Sequence, residues 1–243
     1  MTTVSIIIPA LNEAERIVSA VSRALATGAQ EVIVVDGGSD DGTLELARAQ
    51  PCQSLVAPRG RALQQNLGAH HAQGDVLLFL HADTWLDPTG VRQIEAACDD
   101  PRVVAGAFRQ CIDAEGRRYR LLEWGNALRA KHRGLPYGDQ GIFVRRTTFE
   151  VVGGFPAVRL MEDLLLMKQL RRQSRSVLLP GPLHVDARRW QRHGVVRQTA
   201  RNWLLLSAVR LGIHPDRLAR FYPNHATPLT SREGLGEARG KPS

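Results

Sequence analysis

Glu31-Val32-Ile33-Val34-Val35-Asp36-Gly37-Gly38-Ser39-Asp40-Asp41-Gly42-Thr43 is an apolar, β-branched run that stops on a carboxylate, turns through glycines and opens a helix. A run of this kind reads as a strand buried on both faces. Ser39 and Asp41 suit the start of the helix that follows. The same grammar repeats on either side. Val4-Ser5-Ile6-Ile7-Ile8 leads through Pro9-Ala10-Leu11-Asn12-Glu13 into a helical pattern over residues 13–27. Further strands are expected over 54–57, 76–80 and 103–108, with helices over 43–50, 61–73 and 88–98. Strands alternating with helices imply βαβ units. The fold class expected for residues 1–110 is therefore α/β, a Rossmann-like, mostly parallel sheet flanked by helices.

Beyond residue 110 the pattern loosens. A helix is expected over 117–133, then a loop over 134–141 and a short strand over 142–145. The turn Gly153-Gly154-Phe155-Pro156 precedes a helix over 162–174, a strand over 177–179 and a C-terminal helix over 195–211. One domain over 1–222 is expected, with a nucleotide-binding half (1–110) and a smaller acceptor-side half (111–222). Residues 223–243, rich in Gly, Pro and charge, read as a flexible tail.

The 243 residues are 43% hydrophobic and 23% charged, as for an ordinary globular protein. Aromatic residues make up 5%, too few for the stacking platforms of single-strand binders. The net charge is +8, yet no block of five or six like charges occurs, so nucleic acid is not an expected partner. A soluble, arginine-rich surface accounts for the balance equally well. Cys52, Cys98 and Cys111 form no CxxC pair. An odd count with no secretory leader points to reduced thiols and a cytoplasmic location. No window of 18 apolar residues calls for a transmembrane helix. Residues 199–213 carry a large apolar face flanked by arginines. It suits packing against the domain or against a second subunit in a homodimer. The alternative is peripheral contact with an anionic membrane at its inner face.

Ligands of open α/β sheets sit beyond the carboxyl ends of the strands, where helix N-termini favour anions. Pro9, Ala10, Leu11, Asn12 and Glu13 form such a loop after the first strand, and Asp36, Gly38 and Ser39 after the second. A carboxylate there can accept from a base N–H or a ribose hydroxyl; the same residues also suit a helix cap and a tight turn. Neither GxGxxG nor GxxxxGK[ST] is present. In Gly60-Arg61-Ala62-Leu63-Gln64-Gln65-Asn66-Leu67-Gly68, Arg61 stands at a helix start, placed to meet a base or diphosphate. Gln64 and Asn66 follow on that helix. The fourth strand ends in His81-Ala82-Asp83. A carboxylate at that point can hold Mg²⁺ or Mn²⁺ together with substrate phosphates, and His81 lies on the same side of an extended chain.

These segments, in this order and spacing, resemble family 2 of the glycosyltransferases with the GT-A fold, and the resemblance covers about residues 3–222. It implies a nucleotide-diphosphate sugar as donor, with Asn12, Glu13 and Asp36 near the nucleoside and Asp83 on the metal–diphosphate, the metal being Mn²⁺ or Mg²⁺. Gly37 stands where the family often has a second aspartate, and His81 replaces the first aspartate of its DxD. Gly138-Asp139-Gln140 resembles the loop beside acceptor and donor sugar. Met161-Glu162-Asp163 resembles the x-E-D motif, which makes Asp163 the general base and Glu162 its orienting neighbour. The chemistry wants such a group, because the acceptor must lose a proton as it attacks the anomeric carbon. Arg189-Trp190 resembles an R-W pair at the acceptor end. The combined HADT, GDQGIFVRR, GGFP, LMED and ARRW segments are similar to a bacterial subgroup associated with arsenosugar biosynthesis and radical-SAM neighbours. That subgroup implies a small-molecule acceptor, against the lipid-linked acceptor that the apolar stretch near 199–213 would suit. A sugar-phosphate nucleotidyltransferase would want a glycine-rich phosphate loop after the first strand, and Pro9–Glu13 offers none. A non-catalytic nucleotide-binding relative is the other alternative, prompted by His81 and Gly37 and opposed by Asp83, Glu162 and Asp163.

Overall fold

The structure is a computed structural model and describes residues 2–173, 175–211 and 213–219. The expected tail over 223–243 lies outside the described residues. The first half alternates β1 (Val4–Ala10), α1 (Ile17–Leu25), β2 (Glu31–Asp36), α2 (Thr43–Arg48), β3 (Gln53–Val56), α3 (Arg61–His71) and β4 (Val76–Phe79). It continues with β5 (Thr84–Leu86), α4 (Gly90–Cys98) and β6 (Val103–Asp113). Then come α5 (Arg117–Arg133), a 3-10 turn (Gly138–Gln140), β7 (Ile142–Arg145), α6 (Arg146–Val151) and α7 (Glu162–Gln173). The described chain closes with β8 (Arg175–Asp186), α8 (Arg188–His193), α9 (Val195–Arg210) and α10 (Pro215–Ala219).

Eight strands make one sheet in the order β3-β2-β1-β4-β7-β6-β8-β5. Strands β1 to β4 run parallel to one another, β7 is antiparallel to both β4 and β6, and β6 and β8 are again parallel. Alternate side chains of the central strands enter two separate cores. Ile6, Ile8, Val32, Val34 and Leu78 pack with Ile17, Ala20, Val21 and Ala24 of α1 on one face. Ile7, Ile33, Val35, Leu77 and Phe79 pack with α3, α6 and α7 on the other. That is why these strands read as continuous apolar runs rather than alternating ones. Helix α1 shows the complementary pattern, one apolar stripe at helical spacing.

The second half belongs to the same sheet. β6 extends to Asp113, and β8 runs from Arg175 to Asp186 beside it. Pro180 and Pro182 break the apolar pattern of β8, which is why only residues 177–179 read as strand. The register shift between Phe108 and Gln110 absorbs the irregularity, and the Gln93 amide brackets the Gly181 backbone at 2.9 Å on both sides. No helix among the described residues is long and apolar enough to cross a membrane. On α9, Leu205 packs inward with Leu160 and Leu218, while Leu204 and Leu211 are exposed.

Candidate active site

The carboxyl ends of β1 and β2 are tied together by side chains reaching across them. The backbone N–H of Asn12 donates to Ser39 Oγ at 2.9 Å, and Asn12 Oδ1 accepts from the Asp40 N–H at 3.1 Å. Glu13 and Ala14 donate their backbone N–H groups to Thr43 Oγ1 and Asp41 Oδ2. Asn12 takes a left-handed backbone, φ 55°, which asparagine tolerates better than most residues. Asp36 is buried, and its carboxylate accepts from Gly38 N, Ser39 N and Ser39 Oγ. The turn is therefore self-capped, and a nucleoside would meet a rigid rim. Pro9, Ala10 and Leu11 line the start of that rim.

Gln64 and Asn66 act on the protein itself. The Gln64 amide nitrogen donates to Ala10 O at 2.7 Å and Val35 O at 2.8 Å, bracing the ends of β1 and β2. A Cβ on Gly37 would come within 2.9 Å of that nitrogen. The departure from a second aspartate at 37 thus has a steric reason: the Gln64 side chain fills the space. Asn66 clamps the backbone of Phe155, donating to its carbonyl at 2.8 Å and accepting from its N–H at 2.9 Å. Phe155 in turn packs edge-on against Phe79 of β4. This clamp fixes the chain just before α7.

Helix α7 opens with Glu162 and Asp163, preceded by Met161 at φ 64°. A left-handed backbone is unusual for a long side chain and costs about 1–3 kcal/mol. It turns the chain so that both carboxyls point inward. Glu162 is 1% exposed and paired with Arg61 of α3. Burial pushes its carboxyl up, but the charge and hydrogen bond of the Arg61 guanidinium together hold it below the usual value. Asp163 receives the Gly138 N–H at 2.5 Å and the Leu164 N–H at 2.7 Å. Burial, then the neighbouring Glu162 charge, raise its carboxyl to about 6, against the opposing pull of Arg61.

Replacing Arg61 strands a buried carboxylate. Arg61→Met is expected to lower stability by about 3–5 kcal/mol in urea unfolding, and Arg61→Met/Glu162→Gln to recover most of it. Equal loss in the single and double variants would refute the pairing argument.

Gly138 joins the two halves of the site. A Cβ at this position would lie 3.1 Å from Asp163 Oδ2 and 3.4 Å from His81 Nε2, so both side chains close on one point. Asp83, half-buried at the rim two residues after His81, lies close enough to Glu13 for its charge to reinforce the upward shift that burial imposes on that carboxyl. Ala82 between them is buried. Loops from β1, β2, β4 and α7 therefore converge at one edge of the sheet.

The turn Gly138–Gln140 rests on a network that sequence reasoning did not single out. Gln110 Nε2 donates to Asp139 O at 3.0 Å, and Asn126 Nδ2 donates to Gln110 Oε1 at 2.7 Å. Arg129 donates to Gln140 Oε1 and to Leu135 O, each at 3.0 Å, and its guanidinium stacks 3.3 Å from the centre of the Tyr137 ring. The spacing of Asn126, Arg129 and Ala130 on α5 was the available signal. Gln140 is fully buried in this role, whereas Asp139 Oδ1 is buried with no hydrogen-bond partner among the described residues. Trp190, placed by the resemblance at the acceptor end, is a core residue. It is buried with Ile112, Tyr119, Val185 and Ala187, because β8 and α8 fold its indole under α5. The Arg189 side chain lies outside the described residues.

Among the described residues no three His, Cys, Asp or Glu side chains gather into a metal cage. The donor set at the rim instead offers the hard oxygens of Asp83. This fits Mg²⁺ or Mn²⁺ held by one or two carboxylates with substrate phosphates completing the shell.

A profile described as "Glycosyl transferase family 2" matches residues 5–163, which span β1 through the Glu162–Asp163 pair. The chain belongs to glycosyl transferase family 2. Undecaprenyl-phosphate 4-deoxy-4-formamido-L-arabinose transferase of Sodalis glossinidius is 33% identical over 159 residues, covering 58% of this chain and 48% of that protein. The enzyme of the same name from Edwardsiella ictaluri is 28% identical over 165 residues, covering 61% and 50%. The chain thus spans about half the length of the curated relatives it matches. Among solved structures, S. aureus TarS 1–349 in complex with UDP aligns with TM-score 0.60 at 16% identity, over 76% of this chain and 60% of that one. Glucosyl-3-phosphoglycerate synthase from Mycobacterium tuberculosis, in complex with Mn²⁺ and UDP-glucose, aligns with TM-score 0.56 at 18% identity, over 74% and 70%. The α/β fold of this family 2 domain is accordingly that of the GT-A glycosyltransferases.

Proposed function

We propose that this family 2 domain transfers a sugar from a nucleoside diphosphate donor to an acceptor, with inversion at the anomeric carbon. One observation carries the reading: His81 and Asp163 close on the same Gly138, so the β4 loop that would face the diphosphate and the half-buried Asp163 carboxyl of α7 share one cleft. Asp163 takes the proton of an attacking hydroxyl. A carboxyl raised to about 6 is a better base than an ordinary aspartate and is still ionised at neutral pH. Glu162 remains charged against Arg61 and sustains that upward shift. Asn12, Glu13 and Asp36 border the nucleoside, with Ser39 and Gly38 shaping the turn, while Asp83 holds a divalent ion. That ion, when bound, neutralises the charge that develops on the leaving diphosphate. Asp139 stands on the turn whose Gly138 N–H holds Asp163, at the acceptor side of the cleft.

The acceptor belongs to one of two classes, a small molecule attacking through a hydroxyl or a lipid carrier attacking through its phosphate. The names of the half-length relatives support the lipid-linked class, and the resemblance to the arsenosugar-associated subgroup supports the small-molecule class. Donor binding is tested by a thermal-shift screen of UDP, GDP, ADP and CDP, each with and without Mn²⁺. One nucleotide is expected to stand out, its stabilisation larger with the ion, because stabilisation grows with ligand concentration over Kd. A flat response to all four would remove the donor site.

A further inference from the structure

The helix that carries Asn126 and Arg129 under the site turns a different face outward. Leu121, Trp124 and Leu128 follow one another at spacings of three and four along α5, and are 67%, 60% and 42% exposed. Residues so spaced lie on one side of a helix. Tyr119, Asn126 and Ala130 occupy the buried side. Exposed Arg117 and Arg118 stand at one end of the stripe, and Lys131, His132 and Arg133 at the other. Glu123 is the helix's only acidic residue, and it is already engaged by Arg120 at 3.1 Å and by the Ile112 N–H at 2.6 Å. Asp113 and Glu115 lie just before the helix, beyond the apolar stripe. Beside Trp124 and Leu128 opens a cleft of about 670 Å³ whose wall includes Arg109, Lys131 and His132 and no carboxylate.

We propose that this face of α5 docks on an anionic lipid bilayer. Leu121, Trp124 and Leu128 enter the boundary between headgroups and acyl chains, and Arg109, Lys131 and His132 surround a headgroup phosphate in the cleft. The composition is that of an interfacial helix, with an indole and leucines on one face and cations flanking them. Charge argues against a second copy of the chain in this place. A symmetric contact would lay the stripe, with its flanking cations, on its own image in a protein of net charge +8. α9 is the weaker candidate, because Leu205 turns into the domain. The proposal goes beyond the sugar-transfer reading and does not require it.

The test is co-sedimentation of the full chain with vesicles of phosphatidylcholine alone or mixed equally with phosphatidylglycerol, at low and high NaCl. Binding to the mixed vesicles is expected, with release as salt rises, since each cation near an anionic surface contributes about fivefold in partition. Leu121→Ser/Trp124→Ser/Leu128→Ser should reduce binding at least tenfold, and Leu204→Ser/Leu211→Ser should leave it unchanged. Circular dichroism melting of both variants guards against misfolding. A third variant, Lys131→Gln, should weaken binding without touching the apolar stripe. No binding to the mixed vesicles, binding insensitive to the α5 changes, or binding abolished by the α9 changes would each overturn the proposal. So would a dimer in sedimentation velocity that the α5 triple variant dissolves.

Discussion

Asp163→Asn is expected to lower kcat/KM by about 10²–10⁴-fold, the usual contribution of a positioned general base, while leaving nucleotide binding within a few fold. The wild-type rate should rise with pH through about 6 and then level off. The direction follows from the carboxyl itself: below its raised value Asp163 is protonated and cannot accept the hydroxyl proton. kcat/KM reports the free enzyme, the state to which that value belongs. Glu162→Gln provides the control that a merely structural role would not satisfy. Removing the neighbouring negative charge takes away one cause of the upward shift, and Arg61 then pulls harder on Asp163. The acid limb should therefore move to lower pH. An acid limb that stays near 6 in Glu162→Gln assigns it to another group. A loss below about tenfold in Asp163→Asn has a different meaning. A phosphate oxygen needs no base, so the nucleophile would then be a lipid phosphate and not a hydroxyl.

The sheet was legible because its central strands announce themselves: runs such as Ile6-Ile7-Ile8 and Val32-Val35 are buried on both faces, and a parallel sheet covered by helices demands that. The pairing of β6 with β8 was not legible. Two prolines interrupt β8, and the strand that separates β6 from β4 runs the other way. Site residues divide along a similar line. The places of Glu162 and Asp163 at a helix start and of Asp83 just beyond the fourth strand could be read, and the structure has them there. Gln64, Asn66 and Gln140 were expected to meet ligand, and their amides bind backbone instead. An amide has both donors and acceptors, so a sequence position cannot tell which partner it serves. Trp190 could be read either way, because an indole that suits a sugar face suits a core equally well, and the structure buries it. Gln110 and Arg129 went unnoticed because each reaches a turn separated from it in sequence, and Asn126 because it acts only by bracing those two.

Asp83→Asn is expected to reduce kcat/KM by about 10³-fold and to remove the Mn²⁺-dependent part of nucleotide stabilisation. The size follows from what the position must do. A departing nucleoside diphosphate gains a negative charge as the glycosidic bond breaks, and in the proposed mechanism an ion at Asp83 would take up that charge. Removing one preorganised electrostatic contact of this kind typically costs 10²–10³-fold, and an ion held at the contact contributes more than a single hydrogen bond. Asn keeps the size of the side chain and loses its charge, so the change isolates the carboxylate. The binding readout separates this role from a structural one. With Asp83 replaced, UDP or its preferred counterpart should still raise Tm alone, since Asn12 and Asp36 are untouched, but Mn²⁺ should add nothing further. Removing the Asp83 charge also relieves part of the upward shift on Glu13, so a loss of local repulsion accompanies the loss of metal binding. An unchanged increment from Mn²⁺ would move the ion's anchor to another carboxylate at the rim, Glu13 being the one nearest in charge.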